Sequence, residues 1–155
     1  MKVYLMRHGE ALHPAVDPEM RLSERGLNDA RRMGDYLMSL RQPIDSVWHS
    51  PKARARQTAQ CVAEAIQFDA AGLELRRDIT PEGDSELVFN SIESARESGR
   101  LRGLLIVSHM PFLPQLAGKL TGGSARADFE TASVMALSAA GGVWELQWFK
   151  APAQL

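Results

Sequence analysis

Cysteine, aromatic residues and any excess of charge are all scarce in this chain of 155 residues. The single cysteine, Cys61, excludes an intrachain disulfide framework and suits a reducing, cytoplasmic compartment. Lys and Arg number 18 against 19 Asp and Glu, a net charge of −1 that offers no global basic field for nucleic acid. Any anion site must therefore be a local cluster of arginines. No run approaches the ~20 apolar residues of a membrane span, and the apolar start at Met1–Met6 is too short for a signal-peptide core. Repeats, low-complexity tracts and internal linkers are missing as well. The remainder is of ordinary globular composition, 45% hydrophobic and 24% charged. It predicts one domain over residues 1–155, with no nucleic-acid and no membrane partner.

Strand and helix signals alternate along the chain. Val3–Met6 reads as a strand, followed by a polar loop over Glu10–Arg21 and a helix capped by Ser23 that runs to about Leu40. Leu27, Ala30, Gly34, Leu37 and Met38 give this helix an apolar stripe, with Gly34 expected to allow close packing on a sheet. Ser46–His49 reads as a short strand broken by Ser50-Pro51, and a helix with Ala55, Ala59, Val62, Ala63 and Ile66 in register follows. Leu73–Arg76 is a further short strand, and Glu86–Glu97 a helix expected to bury Leu87, Val88, Ile92 and Ala95. The unbroken apolar run Leu104–Val107 marks a strand covered on both faces. Pro111 then opens a helix to about Leu120. Ser133–Leu137 and Val143–Phe149 flank a glycine-containing turn and form a hairpin. The pattern predicts a three-layer α/β/α sandwich on a mostly parallel mixed sheet, with an antiparallel strand from the hairpin at one edge.

Three junctions carry the chemistry. Arg7-His8-Gly9 leaves the first strand, and Gly9 lets the chain turn and approach a ligand closely. Ligands of open α/β sheets bind beyond such strand ends. Ser50-Pro51-Lys52-Ala53-Arg54-Ala55-Arg56-Gln57-Thr58 loads a helix N-terminus, itself favourable to anions, with cations. Arg54 and Arg56 lie two apart and so face different ways, and Lys52 and Arg56 read as solvated. Ser108-His109-Met110-Pro111 is the third strand-to-helix junction.

Taken together, Arg7-His8-Gly9, Ser-Pro-x-x-Arg-Ala-x-Gln-Thr at 50–58 and Ser-His-x-Pro at 108–111 resemble the histidine phosphatase superfamily, relatives of phosphoglycerate mutase. The similarity is nearest to the small SixA-type bacterial phosphohistidine phosphatases. It extends to Leu22-Ser23-x-x-Gly26, Thr80-Pro81-x-Gly83-Asp84 and Thr131-Ala132-Ser133. The resemblance implies a phosphoglycerate mutase-like fold, His8 as nucleophile, Arg7 and Arg54 as phosphate ligands and His109 as the fourth member of the pocket. Relatives often carry an arginine where this chain has Met20; here Arg21, adjoining Leu22, is the candidate in its place.

The implied reaction attacks phosphorus with a neutral imidazole and forms a phosphohistidine intermediate that water hydrolyses, without metal or cofactor. Flanking arginines should depress the pKa of His8, and His109 should help neutralise the phosphoryl oxygens, either protonated or as a neutral hydrogen-bond donor. Candidates for a general acid are Glu10, Glu82 and Asp84, with Asp84 equally readable as a helix cap. A phosphohistidine substrate relaxes the need for an acid. No insertion exceeds about a dozen residues, so an open pocket is expected. It suits a phosphohistidine-bearing domain of a phosphorelay or phosphotransfer protein, and phosphate- or sulfate-like anions. A phosphatase for small phosphate esters is the nearest rival, and a phosphohistidine-binding module a more distant one. His8, His13, His49 and His109 have no recognised metal spacing, and Gln67 stands where a Cys61-based phosphate loop requires arginine.

Overall fold

The computed structural model describes every residue from Met1 to Leu155. Six strands form one sheet: β1 (Lys2–Arg7), β2 (Ser46–His49), β3 (Leu73–Leu75), β4 (Gly103–Ser108), β5 (Val134–Ala140) and β6 (Val143–Lys150). Their order is β3-β2-β4-β1-β5-β6. β3, β2, β4 and β1 run parallel, while β5 is antiparallel to both of its neighbours. The helices are α1 (Glu24–Ser39), α2 (Ala53–Ala65), α3 (Ser85–Ser98) and α4 (Phe112–Thr121).

Period-two alternation divides the core between the two faces of the sheet. Val3, Leu5, Leu104 and Ile106 pack with Val88 and Ile92 of α3 and with Phe112, Leu113 and Leu116 of α4. Tyr4, Met6, Leu105 and Val107 pack instead with Met33 and Leu37 of α1 and with Ala55, Ala59 and Val62 of α2. Every residue of β4 is buried, as its unbroken apolar run requires. This is the three-layer α/β/α sandwich with a mostly parallel sheet. A bulge between the Ala136–Trp148 and Leu137–Leu146 pairs inserts one residue into β6. It changes which face each parity serves, so Trp144 joins one core and Trp148 the other.

Several expectations are corrected. The antiparallel strand is β5, one place in from the edge; the edge itself is β6, which runs with β1. Met38 and Leu87 are 42% and 55% exposed, because each lies at the margin of its helix's apolar stripe rather than over the sheet. Pro111 stands at the cap position and α4 begins at Phe112. Gly34 is close-packed against α2, not the sheet: a Cβ there would lie 2.6 Å from the Cβ of Ala65 and 3.2 Å from Cα of Val62.

Gly34→Ala should therefore destabilise the fold by about 1–3 kcal/mol through overpacking, although alanine is favoured over glycine in a helix by about 1 kcal/mol. Urea unfolding of Gly34→Ala and of Gly34→Ala/Ala65→Gly reads this. The double variant should recover part of the loss, whereas a single variant as stable as the parent would show that the helix crossing is not set at this point.

Candidate active site

The C-terminal ends of three parallel strands meet here. Arg7 pairs with Ser108 in register, and the His8 amide donates to the Ser108 carbonyl at 3.1 Å, which brings the exits of β1 and β4 side by side. On the other flank, the Ala132 amide donates to the carbonyls of Arg7 and His8 at 3.1 and 3.0 Å. Ala132 does so in a left-handed conformation, φ 60°, that non-glycine residues seldom adopt. The chain then turns at Gly9, whose amide donates to Thr58 Oγ1 of α2 at 2.9 Å. A Cβ on Gly9 would lie 2.7 Å from the Gly26 carbonyl oxygen, and one on Gly26 would lie 2.1 Å from that of Glu10. Two glycines crossing at this distance bring the start of α1 under the turn. The Leu22 amide donates to Gln57 Oε1 at 2.7 Å, and so ties the incoming loop to α2 as well.

His8 is buried and lies within 2.7 Å of the Gly9 carbonyl through Nδ1. A carbonyl only accepts, so Nδ1 carries the proton and Nε2 keeps its lone pair. Burial is the main force lowering the His8 pKa from 6.5 to about 4, aided by Arg54 and Arg7 and opposed by the hydrogen bond to Gly9. The ring of His109 lies 5.0 Å away, centroid to centroid. Its pKa is lowered to about 3, by burial first, then by His8, Arg54, Lys52 and Arg7. Of the two expected states of His109, the neutral donor is the one this environment favours; a protonated ring would face three cations in a buried site.

Arg7 donates from Nη1 to the carbonyl of Phe129 at 2.8 Å, which orients the guanidinium from the loop before β5. Arg54 is half-buried in the first turn of α2 and makes no hydrogen bond or ion pair through its guanidinium, on which the exposed Glu82 acts only at longer range. That helix has no side-chain cap and no acidic residue in its first turn, which leaves its N-terminal field free to act on an anion. Only three buried side-chain polar atoms in the molecule lack a partner: Tyr4 hydroxyl, Arg7 Nε and His109 Nδ1. Two of them belong to this cluster. Unmatched buried polar atoms are rare because each forfeits its hydration; gathered beside two guanidinium groups that form no ion pair, they can receive the oxygens of an anion.

The structure thus brings Arg7, His8, Arg54 and His109 together. It does not bring in Arg21, which is exposed and held by Asp17 through Nε at 2.9 Å. Asp84 caps α3, accepting from the amides of Glu86 and Leu87 at 3.0 and 3.2 Å. Glu10 accepts from the Ser23 hydroxyl at 2.6 Å. Glu82 is exposed, and its charge raises the pKa of Arg54 against the lowering by burial and Arg7. Lys52 and Arg56 are solvated, and no three His, Cys, Asp or Glu side chains converge in a way that could hold a metal ion. Sequence reasoning assigned no task to Ser50, Thr58 or Gln57, although all three stand inside the 50–58 run. The Phe129 carbonyl is a backbone group and leaves no mark in the sequence.

Residues 3–79 match the model of the histidine phosphatase superfamily (branch 1). The phosphohistidine phosphatase SixA of Escherichia coli is 29% identical over 139 residues, covering 89% of this chain and 85% of the relative. The SixA homolog of Haemophilus influenzae is 30% identical over 129 residues, 79% of this chain and 78% of the relative. A solved structure of the protein histidine phosphatase SixA complexed with tungstate superposes with TM-score 0.90 at 28% identity, over 99% of this chain and 98% of that one. A phosphoglycerate mutase from Bacillus anthracis shares the fold at TM-score 0.73 and 17% identity, over 95% and 91% of the two chains.

Both site imidazoles should remain neutral far below the usual histidine range. In ligand-free protein, ring nitrogen shifts should show protonation only as pH falls toward about 4 for His8 and about 3 for His109. The unfolded chain protonates both rings near ~6.5, so unfolding takes up protons and stability falls as pH drops from there toward 4. Either ring titrating near 6.5 would refute the buried, cation-flanked environment described above.

Proposed function

Because the chain belongs to the histidine phosphatase superfamily, we propose that it is a phosphohistidine phosphatase. It removes phosphate from a histidine on a phosphorelay or phosphotransfer protein, through a covalent phosphohistidine intermediate on His8. The observation that carries this reading is the tautomer of His8: Nδ1–H is committed to the Gly9 carbonyl, and Nε2 is unprotonated beside two cations.

In the first step His8 Nε2 attacks phosphorus, and the bond from phosphorus to the substrate's imidazole nitrogen breaks. The departing ring leaves neutral when its other nitrogen already carries a proton. Arg7, Arg54 and the neutral His109 donate to the three equatorial oxygens as the phosphoryl group transfers. The phosphorylated His8 ring retains Nδ1–H on the Gly9 carbonyl, so it is a cationic ring and a good leaving group. In the second step water attacks phosphorus, the phosphorus–Nε2 bond breaks, and the proton of water leaves on phosphate. Histidine as leaving group also accords with the carboxylates: Asp84 is occupied as a cap and Glu10 by Ser23.

Protein substrates suit the approach to the site, where the connections His8–Ser23 and Gly122–Ser133 are the longest and neither carries a helix or strand of its own. A single buried cysteine fits action in the cytoplasm. One observation favours a second reading, a phosphatase for small phosphate esters: Glu82 is exposed and acts on Arg54, and could serve an alkoxide as proton donor.

A phosphohistidine-bearing phosphotransfer domain and a panel of small esters, offered without added metal, separate the two. Fast release from the protein and slow release from every ester is expected. The reverse order, with loss on Glu82→Gln, would establish the ester reading. His8→Ala should lower kcat at least ~10³-fold and Arg54→Ala roughly 10²-fold; full activity in His8→Ala would end both readings.

A further inference from the structure

Ser50 is fully buried at the turn from β2 into α2, and its Oγ lies 2.5 Å from Nε2 of His109. The Lys52 amide donates to the same oxygen at 3.3 Å. The hydroxyl has no other acceptor within hydrogen-bond distance. Two arrangements of protons are open to this pair. If His109 Nε2–H donated to Oγ, the serine proton would be buried without a partner and Nδ1 would turn a lone pair toward any bound anion. If Ser50 donates, Nε2 is the acceptor and the ring proton resides on Nδ1. That nitrogen is buried without a protein partner, in a ring packed beside that of His8. An anion oxygen accepting from it then leaves every group in the chain from Lys52 to Ser50 to His109 satisfied.

We infer that Ser50 is a positioning residue: by donating its hydroxyl proton to His109 Nε2, it holds His109 as the Nδ1–H tautomer, and that N–H is the donor His109 offers to a phosphoryl oxygen. The inference rests on the proposed reading of the cluster as a phosphoryl-transfer site. The two histidines are set by opposite devices. A carbonyl acceptor places the proton of His8 on Nδ1 so that the bare Nε2 reacts, while a hydroxyl donor occupies Nε2 of His109 so that its N–H faces the charge. Neither ring needs to be protonated, and each has only one nitrogen for its task.

Long-range proton–nitrogen spectra of the ligand-free, full-length chain read the tautomer without reference to activity. Wild-type His109 should carry its proton on Nδ1. Ser50→Ala should move protons toward Nε2, raise the dissociation constant for tungstate by roughly tenfold or more, and lower kcat/KM in parallel. Ser50→Thr, which keeps the hydroxyl, should retain the wild-type tautomer, and the His8 signals should be unchanged in both variants. A wild-type His109 protonated on Nε2 would overturn the inference by itself, even if neither variant folds. So would an unaltered tautomer in folded Ser50→Ala. A wild-type chain with the Ser50-dependent tautomer but no tungstate binding and no turnover would instead strike down the phosphatase reading.

Discussion

A hydrogen bond from His8 Nδ1 to the carbonyl of the next residue imposes most of the constraints seen around it. For the ring to reach back to Gly9, the chain must turn sharply on leaving β1, and the Thr58 hydroxyl takes the Gly9 amide so that this turn does not bury an unmet donor. Thr58 in turn donates to the Arg54 carbonyl at 2.8 Å, within the same turn of α2 that supplies the guanidinium. The turn beside His8 and the Arg54 backbone are therefore tied to one another through a single threonine. The turn also leaves no room for a side chain, which explains the glycine pair at 9 and 26 and the route of the chain into α1. The capped, buried, sheet-backed arrangement is rigid where chemistry needs rigidity.

Electrostatics in this site follow from placement more than from composition. The chain as a whole is nearly neutral, yet Arg7 and Arg54 stand without carboxylate partners beside two buried imidazoles. The other two part-buried arginines are matched, Arg76 with Asp78 and Arg96 with Glu93, and every other arginine without a carboxylate partner is exposed. The contrast marks the site. Burial keeps both imidazoles neutral, so positive charge comes from the guanidinium groups, which do not lose their protons near neutral pH, with the solvated Lys52 acting on His109 as well. On the proposed phosphatase reading, an arriving phosphoryl group meets fixed cations and fixed N–H donors, and need not reorganise water to be stabilised.

The layer architecture and the succession of strands and helices along the chain are legible in the sequence because the signals are local: an unbroken apolar run for β4, Ser23 as a helix cap, glycines in the hairpin turn. Legibility failed where a neighbour distant in sequence decides. Gly34 faces Ala65 of another helix, which no helical stripe reveals. The position of β5 inside the edge depends on its pairing with β1, and the bulge in β6 on the needs of two separate cores. At the site, Arg7, His8, Arg54 and His109 could be read because each sits at a strand-to-helix junction. Ser50 and Thr58 were in view as letters of a motif, but their tasks depend on hydrogen bonds to His109 and Gly9, 59 and 49 residues away. Arg21 and Asp84 looked available from the sequence, and Asp17 and the first amides of α3 claim them.

The arrangement carries a cost within the protein's own contacts. Arg7 Nε and His109 Nδ1 are buried without partners, and Ala132 holds a strained backbone to bring β5 against the exit of β1. Unmet buried donors cost about 1–3 kcal/mol each, and a left-handed alanine about 1–2 kcal/mol. A fold selected for stability alone would place a carboxylate beside these arginines, as this chain does at Asp17, Asp45, Asp78 and Glu93. Here it does not, and on the proposed phosphatase reading an internal carboxylate would compete with the phosphoryl oxygens for the same donors. On that reading the unmatched donors and the two guanidinium groups are parts of one arrangement, to which an external anion would supply the acceptors.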